Sequence, residues 1–109
     1  MELNPELAAR FSLEGRVAVI TGAASGFGAE ASRLFARAGA RVVLADINAA
    51  GAEATAAQVR EAAGEAVVVP TDTANRDQVE ALADAAVKAF GGLDIWLNIA
   101  GVSVWKPLL

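Results

Sequence analysis

A glycine-rich loop between a predicted strand and a predicted helix is the segment of this sequence best suited to hold a phosphate group. Residues 21–28 read TGAASGFG. A diphosphate binds well where backbone N–H groups converge at a helix N-terminus, because the helix dipole favours negative charge there. Gly22 permits the tight turn, Gly26 lets the backbone approach the phosphate, and Gly28 allows close helix–strand packing. Ser25 can add a hydroxyl donor. Three glycines can also form a tight turn and nothing more, but the position between a strand and a helix favours the binding interpretation.

An acidic residue ends the second predicted strand at the distance that dinucleotide binding requires. Asp46 stands 18 residues after Gly28. Dinucleotide sites use an acid about 20 residues after the loop to accept hydrogen bonds from the adenosine ribose. The same carboxylate would repel a 2′-phosphate, and positions 22–29 and 47–50 contain no Arg or Lys. These residues favour NAD over NADP. The alternative is that Asp46 only starts a turn and caps a helix.

Polar and small residues follow the third and fourth predicted strands. Asp72 either caps the next helix or accepts a hydrogen bond from an adenine amino group. The small residues of segment 98–101 would let a ligand lie across the end of the fourth strand, where open α/β sheets bind ligands, although a simple turn explains them equally well. Trp96 suits a core or interface position better than ligand stacking.

Four short apolar runs alternate with three segments of helical periodicity. The runs cover residues 16–21, 41–46, 66–70 and 94–98. Because each run is almost continuously apolar, it predicts a strand buried on both faces of a parallel sheet. With right-handed crossovers, the fold class is α/β with a doubly wound parallel sheet.

The helical segments each carry an apolar stripe at spacings of three and four residues. Asn48 and Asn75 suit N-caps. Gly39, Gly64 and Gly91 follow the stripes and suit left-handed C-terminal caps. The stripes comprise Ala31, Leu34, Phe35 and Ala38 in the first helix, Ala52, Ala56, Val59 and Ala63 in the second, and Val79, Leu82, Ala83, Ala86 and Phe90 in the third.

The composition excludes several classes of function. The chain has no Cys and no His, so a disulfide framework, a thiolate zinc site and a histidine base are all excluded, and we expect no metal site. The net charge of −4 argues against binding to nucleic acid or to an anionic membrane. No apolar run approaches the roughly 18 residues of a membrane span, and residues 1–6 do not resemble a signal peptide. We therefore expect a cytoplasmic location.

Taken together, these segments resemble the N-terminal half of a short-chain dehydrogenase/reductase. The resemblance extends over residues 12–109, and the TGxxxGxG loop of that family is met in full. It implies a partial Rossmann-like fold with strand order 3-2-1-4. The expected organisation is a lead-in segment over residues 1–14 and an NAD-binding half-domain over residues 15–109, truncated after the fourth strand. The matching stretches are residues 15–21, 21–28, 44–47, 71–73 and 94–101.

The resemblance also implies roles at the matching positions. The loop would hold the diphosphate, Asp46 the adenosine ribose, and Asp72 with Thr73 the adenine. The segment after the fourth strand would line the ribose and nicotinamide side, with Asn98 also joining the central strands. The implied cofactor-binding residues are Gly22, Ser25, Gly26, Phe27, Gly28, Asp46, Ile47, Asp72, Thr73, Asn98, Ala100 and Gly101.

Two positions depart from the family pattern. Ile99 stands where the family usually has a second Asn, which removes one side-chain amide. Phe27 replaces the usual Ile or Leu, a change that is tolerated if its backbone N–H does the binding. Neither departure removes the backbone contacts that the resemblance implies for the cofactor.

The catalytic residues of the family lie beyond the fourth strand. They are a Ser and the Tyr and Lys of a YxxxK motif, and this chain has no Tyr. Lys106 follows no Tyr, so no residue here is predicted to be catalytic. A full-length relative would transfer hydride between a secondary alcohol or ketone and NAD. The 109 residues alone are predicted to be inactive, and they do not disclose the substrate.

Two other functions stay open at this point. One is a catalytically inert dinucleotide-binding or interaction module. The other is a different Rossmann enzyme, such as a methyltransferase that binds the nucleoside of S-adenosylmethionine, which the full glycine loop followed by Asp46 disfavours. In strand order 3-2-1-4 the fourth strand forms an exposed apolar edge. We therefore expect self-association through that edge, or marginal stability.

Overall fold

A computed structural model describes residues 12–99 as a parallel sheet flanked by helices. Strands and helices alternate in the predicted order, and the first and fourth strands begin one residue later than predicted. The strands are β1 (Val17–Thr21), β2 (Arg41–Asp46), β3 (Ala66–Pro70) and β4 (Ile95–Asn98), and the helices are α1 (Gly26–Arg37), α2 (Ala49–Glu61) and α3 (Arg76–Phe90).

The four strands lie in the order β3-β2-β1-β4, and every pair is parallel. The predicted doubly wound sheet and its strand order are therefore confirmed. Thr21, the last residue of β1, is paired with Ala45 of β2 and Asn98 of β4, and Asp46 is paired with Pro70 of β3. Because the strands end in register, the loops that follow them leave the sheet at one common edge.

The core has two layers, one on each face of the sheet. Every residue of β1 and the four central residues of β2 are buried, as their continuous apolar character predicts. Strands β3 and β4 are only half-buried, because each has a strand neighbour on one side only among residues 12–99. On one face the core contains Ala18, Ile20, Val42 and Leu44 with Ala56 and Val59 of α2, and on the other Val17, Val19, Val43 and Ala45 with Leu82 and Ala86 of α3.

The packed face of α1 differs from the predicted stripe. Leu34 is 49% exposed, whereas Gly28 and Ser32 are the fully buried residues of this helix. Phe35 and Ala36 complete the packed face against the core. At the first turn the reason is steric, because a Cβ at Gly28 would lie 1.8 Å from the carbonyl oxygen of Gly22 and the helix can approach the loop only without a side chain there.

The predicted helix ends are mostly confirmed. Asn48 and Asn75 accept hydrogen bonds from backbone N–H groups three residues later and cap α2 and α3. Gly91 is left-handed, with φ of +84°. The prediction for Gly64 is wrong, because Ala63 takes the left-handed conformation there, with φ of +69°. Gly64 is needed for space instead, since a Cβ at that position would lie 2.8 Å from the Cγ1 atom of Val59.

Several predictions concern properties that the fold alone does not decide. No helix within residues 12–99 has the length and apolar character needed to cross a membrane. The same residues contain no group of three or more Asp and Glu side chains placed to hold a metal ion. The cytoplasmic location and the lack of nucleic-acid binding stay predictions. The predicted site residues Ala100 and Gly101, the residue Lys106 and most of the lead-in segment lie outside the described residues.

Candidate functional site

An open groove lies at the edge of the sheet where β1, β2 and β3 end. Its volume is about 100 Å³. It brings together the loop predicted to bind a diphosphate and the residues predicted to bind an adenosine, which come from three separate segments of the sequence. The groove is lined by Gly22, Asp46, Ile47, Thr71, Asp72 and Thr73.

The glycine-rich loop is a tight turn closed by Ser25. Gly22 has a φ of +73°, a conformation that favours glycine. The hydroxyl of Ser25 donates to the carbonyl oxygen of Gly22 at 2.7 Å and accepts from the backbone N–H of Gly28 at 3.0 Å. Ser25 is therefore the N-cap of α1, and its hydroxyl proton is engaged inside the loop.

The first turn of α1 has the features that an anionic group needs. The N–H groups of Gly26 and Phe27 have no intrahelical acceptor, because they open the helix. A Cβ built at Gly26 would meet no heavy atom within 4 Å, so there is open space above the helix N-terminus. A Cβ at Gly28 would instead lie 1.8 Å from the carbonyl oxygen of Gly22, so that glycine allows the loop and helix to pack. The loop fits a diphosphate.

Asp46 connects the loop after β1 to the start of α2. Its Oδ2 atom accepts from the backbone N–H of Ala24 at 2.9 Å, and its Oδ1 atom accepts from that of Asn48 at 2.8 Å. Asp46 thus does start a turn, but Asn48 and not Asp46 caps α2. Two backbone donors fix the half-buried carboxylate at the wall of the groove, beside the exposed side chain of Ile47.

The far wall of the groove carries a second carboxylate. The Oδ1 atom of Asp72 accepts from the backbone N–H of Ala74 at 3.0 Å, and Asn75 rather than Asp72 caps α3. No basic side chain lines the groove within the described part of the chain. Two carboxylates without a cation favour ligand groups that donate hydrogen bonds, such as ribose hydroxyls and an amino group, and disfavour an additional phosphate.

The end of β4 is joined to the end of β1 by side chains. The hydroxyl of Thr21 donates to the Oδ1 atom of Asn98 at 2.7 Å. The predicted link between the central strands through Asn98 is therefore present. Asn98 lies across β1 from the groove, on the side predicted to receive the nicotinamide half of a cofactor.

The sequence analysis assigns no role in this site to three residues that shape it. Ala24 acts through its backbone N–H, and Thr71 lines the groove with its hydroxyl bonded to the carbonyl of Val69 at 2.8 Å. Thr55 donates to the carbonyl of Ala23 at 2.9 Å from within α2. The one available signal for Thr55 is a polar residue next to the apolar stripe of that helix.

Comparison with known proteins identifies the family. The family model described as short chain dehydrogenase matches residues 16–109. The chain belongs to the short-chain dehydrogenase family. It is 45% identical over 97 residues to a D-threitol dehydrogenase of Mycolicibacterium smegmatis, and 48% identical over 94 residues to a cis-4-hydroxycyclohexanecarboxylate dehydrogenase of Sinomonas cyclohexanicum. These matches cover 89% and 86% of this chain.

Solved structures of short-chain dehydrogenases show the same fold. The hydroxysteroid dehydrogenase of Escherichia coli superposes with a TM-score of 0.81 at 37% identity, over 84% of this chain and 39% of that one. A short-chain dehydrogenase/reductase of Burkholderia phymatum in complex with NAD superposes with a TM-score of 0.75 at 44% identity, over 79% of this chain and 31% of that one. Membership of this family removes the methyltransferase alternative.

The chain spans only part of its relatives. It covers 37% of the length of each of the two curated dehydrogenases. Their names specify different alcohols, a sugar alcohol in one and a hydroxylated ring acid in the other. The family is therefore an oxidoreductase family, and this chain matches the N-terminal portion of its members.

Proposed function

We propose that residues 15–109 form the NAD-binding half-domain of a short-chain dehydrogenase, with residues 1–14 as a lead-in segment. The observation that carries this proposal is the hydrogen bond from Ala24 to the carboxylate of Asp46. That bond places the predicted ribose acid against the predicted diphosphate loop, so both can contact one dinucleotide. The NAD complex of the Burkholderia phymatum relative supports the choice of ligand.

Each part of the cofactor has proposed partners in the chain. The N–H groups of Gly26 and Phe27 bind the diphosphate, while Gly22, Ser25 and Gly28 hold the loop in shape. The carboxylate of Asp46, with Ile47 beside it, binds the adenosine ribose. The proposed partners of the adenine are Asp72 and Thr73, and those of the nicotinamide side are Asn98, Ala100 and Gly101.

NAD is the proposed cofactor in preference to NADP. Asp46 and Asp72 both line the groove, and a 2′-phosphate on the adenosine ribose would meet the carboxylate of Asp46. Like charges at such short range oppose binding, and no Lys or Arg among the groove-lining residues offsets them. The preference rests on this charge pattern.

The whole protein is proposed to transfer hydride between a secondary alcohol or ketone and NAD, as the names of its relatives suggest. The nicotinamide ring of the bound cofactor supplies or accepts the hydride. The residues of this chain bind and orient the adenosine and diphosphate of that cofactor. Because these 109 residues contain no Tyr, we expect them to bind dinucleotide without oxidising any alcohol. A catalytically inert binding module is the second candidate, and it shares this expectation.

Calorimetric titration of the 109-residue chain tests the binding proposal. NAD and ADP-ribose should bind weakly and with similar affinity, and NADP should bind more weakly than either. Absence of binding by both NAD and ADP-ribose would overturn the proposal. Equal affinity for NAD and NADP would overturn the role given to Asp46.

We further propose that these 109 residues self-associate at the β4 edge. Within residues 12–99, β4 is paired with β1 alone, and Trp96 of this strand is 38% exposed. Beside the edge lies an apolar hollow of about 370 Å³, which is lined in part by Phe27, Leu34 and Ile99. Phe27 is 79% exposed. An unpaired strand edge next to an apolar surface favours pairing with another chain.

Sedimentation velocity over a hundredfold dilution series tests the self-association. The sedimentation coefficient should rise with concentration, and Phe27→Ser combined with Leu34→Ser should reduce the rise because both substitutions remove exposed apolar surface. A monomer whose sedimentation does not depend on concentration would refute this proposal. The titration with NAD is unaffected by that outcome.

A further inference from the structure

The second helix contacts the glycine-rich loop through a residue that does not line the groove. Thr55, in the second turn of α2, is buried, and its hydroxyl lies 2.9 Å from the carbonyl oxygen of Ala23. The same hydroxyl lies 3.3 Å from the carbonyl oxygen of Gly51, one turn earlier. Ala23 is itself fully buried, so Thr55 supplies a hydrogen-bond donor to a loop carbonyl that is shielded from water.

The spacing between α2 and the loop depends on Gly51. A Cβ at this position would lie 2.7 Å from the Cβ atom of Ala24 and 2.7 Å from the Nδ2 atom of Asn48. Real Cβ atoms do not approach other atoms so closely, so a larger residue would move the helix or the loop. The absence of a side chain at Gly51 is what brings Thr55 within hydrogen-bond distance of the loop.

Residues 23 and 24 are thereby held from several directions. The N–H of Ala23 donates to the carbonyl of Ala45 in β2 at 3.1 Å, and its carbonyl accepts from Thr55. The N–H of Ala24 donates to Asp46 at 2.9 Å. Together these bonds join the loop to β2 and to α2, and the loop leads directly into the N–H groups of Gly26 and Phe27.

We propose that Thr55 is a positioning residue for the dinucleotide loop, and that Gly51 sets the distance over which it acts. The proposal rests on the binding function stated above. Thr55 is buried and is not among the residues that line the groove, so its proposed action is through the loop and not through contact with a ligand. It keeps the loop preorganised, so that its N–H groups point at the diphosphate before the ligand arrives.

The physical basis is the buried carbonyl of Ala23. When the hydroxyl of Thr55 is removed, this carbonyl loses its donor, and a buried acceptor without a partner is unfavourable. The loop can regain a partner by turning the carbonyl towards water, which moves the N–H groups that follow. Removal of the hydroxyl should therefore weaken diphosphate binding as well as lower the stability of the fold.

Three variants distinguish a role of Thr55 in positioning the loop from a contribution to folding stability alone. Thr55→Val keeps the shape of the side chain but removes the hydroxyl, and Thr55→Ser restores the hydroxyl. Val59→Ala is the matched control, because Val59 is buried on the same face of α2 one turn later and its side chain has no hydrogen-bonding group to offer the loop. Each variant is titrated with ADP-ribose and with adenosine, which lacks the diphosphate, by NMR chemical shifts. Amide hydrogen exchange is measured without ligand.

If Thr55 positions the loop, removing its hydroxyl should selectively weaken the binding of ligands that contain a diphosphate. Thr55→Val should weaken ADP-ribose binding about tenfold, the equivalent of losing roughly one buried hydrogen bond, and should leave adenosine binding within about twofold. Exchange at the N–H of Ala24 should accelerate relative to the rest of the chain. Thr55→Ser should restore the ADP-ribose affinity and the slow exchange at Ala24. Val59→Ala should change neither the affinity for ADP-ribose relative to adenosine nor the exchange at Ala24 relative to the rest of the chain.

Other results would overturn the inference in distinguishable ways. Equal weakening of ADP-ribose and adenosine, or unchanged relative exchange at Ala24, would show that Thr55 contributes to stability alone while the binding function stands. If the unaltered chain binds neither ligand, both proposals fail. If Thr55→Val does not fold, the test uses Thr55→Ser, which keeps the hydroxyl. Unchanged exchange at Ala24 and an unchanged ratio of ADP-ribose affinity to adenosine affinity would support the role of the hydroxyl. A fall in that ratio although the hydroxyl is present would refute it.

Discussion

Replacing Asp46 by Ala should weaken the binding of NAD and tighten the binding of NADP. The carboxylate of Asp46 is held by two backbone donors, at 2.9 Å from the nitrogen of Ala24 and 2.8 Å from that of Asn48. Each oxygen retains a lone pair for a further hydrogen bond, and the side chain lines the groove. The proposed partners for these lone pairs are the hydroxyls of the adenosine ribose.

The expected loss for NAD follows from the strength of such bonds. A hydrogen bond to a charged group contributes about 1.5–3 kcal/mol. Because Asp46 is only half-buried, we take about 2 kcal/mol, which corresponds to roughly 30-fold weaker binding of NAD and of ADP-ribose. The variant also loses the acceptor for Ala24, so circular dichroism must first establish that it is folded.

The expected gain for NADP comes from removing a negative charge. Two unit charges 4 Å apart interact by about 1 kcal/mol in water and about 4 kcal/mol near a protein surface. The repulsion energy between a half-exposed carboxylate and a 2′-phosphate lies between these two values and closer to the lower one. Asp46→Ala should therefore tighten NADP binding by about 1–2 kcal/mol, or roughly tenfold.

Calorimetric titration of NAD, ADP-ribose and NADP measures both changes. Asp84→Ala, an exposed acid in the middle of α3, is the matched control for the change in net charge, and it should bind all three ligands like the unaltered chain. Distortion of the loop alone would weaken NAD and NADP together. The reasoning is refuted if Asp46→Ala binds NAD with unchanged affinity, or if it weakens NADP as much as NAD.

Further substitutions test the loop and the fold. Gly28→Ala should destabilise the chain by about 3 kcal/mol in urea denaturation, because its Cβ overlaps a loop carbonyl oxygen; a smaller loss than for Gly26→Ala would contradict the packing argument. Gly26→Ala should fold normally but bind ADP-ribose more weakly, since its Cβ enters open space above the helix N-terminus; unchanged affinity would argue against diphosphate binding there. Ala63→Gly should raise the stability by about 0.5–1 kcal/mol, because Ala63 has a φ of +69°, and a lower urea midpoint would refute this. Asp94→Ala should cost about 1–2 kcal/mol, since its carboxylate accepts from the first N–H of β1 at 2.8 Å; an unchanged midpoint would show that the bond contributes nothing.

The order of elements and the place of the site follow from local patterns in the sequence. Continuous apolar runs are typical of strands covered on both faces, and the buried β1 and β2 are the clearest instances. The carboxyl ends of neighbouring parallel strands lie side by side, so a glycine loop after β1 and an acid after β2 have to lie near each other. The distance between Asp46 and the loop is therefore a consequence of topology and needs no knowledge of side-chain packing.

The details that sequence patterns missed depend on steric fit between elements. The apolar stripe of α1 predicts that Leu34 is buried, but Gly28 and Ser32 are the fully buried residues of this helix, and at Gly28 the close approach of helix and loop leaves no room for a side chain. Likewise Gly64 follows α2 as a cap would, yet it is required by its contact with Val59, and Ala63 takes the left-handed conformation. Neither fact is visible in hydrophobic periodicity, which records apolar character and not distance.

The difference in burial between the strands has a consequence for how these 109 residues meet a dinucleotide. The proposed adenosine and diphosphate partners follow β1, β2 and β3, and β1 and β2 are the most deeply buried strands. The proposed nicotinamide side begins at Asn98, on the half-exposed β4. A rigid support preorganises the first set, whereas the second lies on a strand that, among residues 12–99, is paired with β1 alone and is linked to it by the bond between Thr21 and Asn98. The nicotinamide half should therefore add little affinity, which is why ADP-ribose and NAD are expected to bind alike. A clear advantage for NAD would show that β4 and the residues after it are already ordered for the ring.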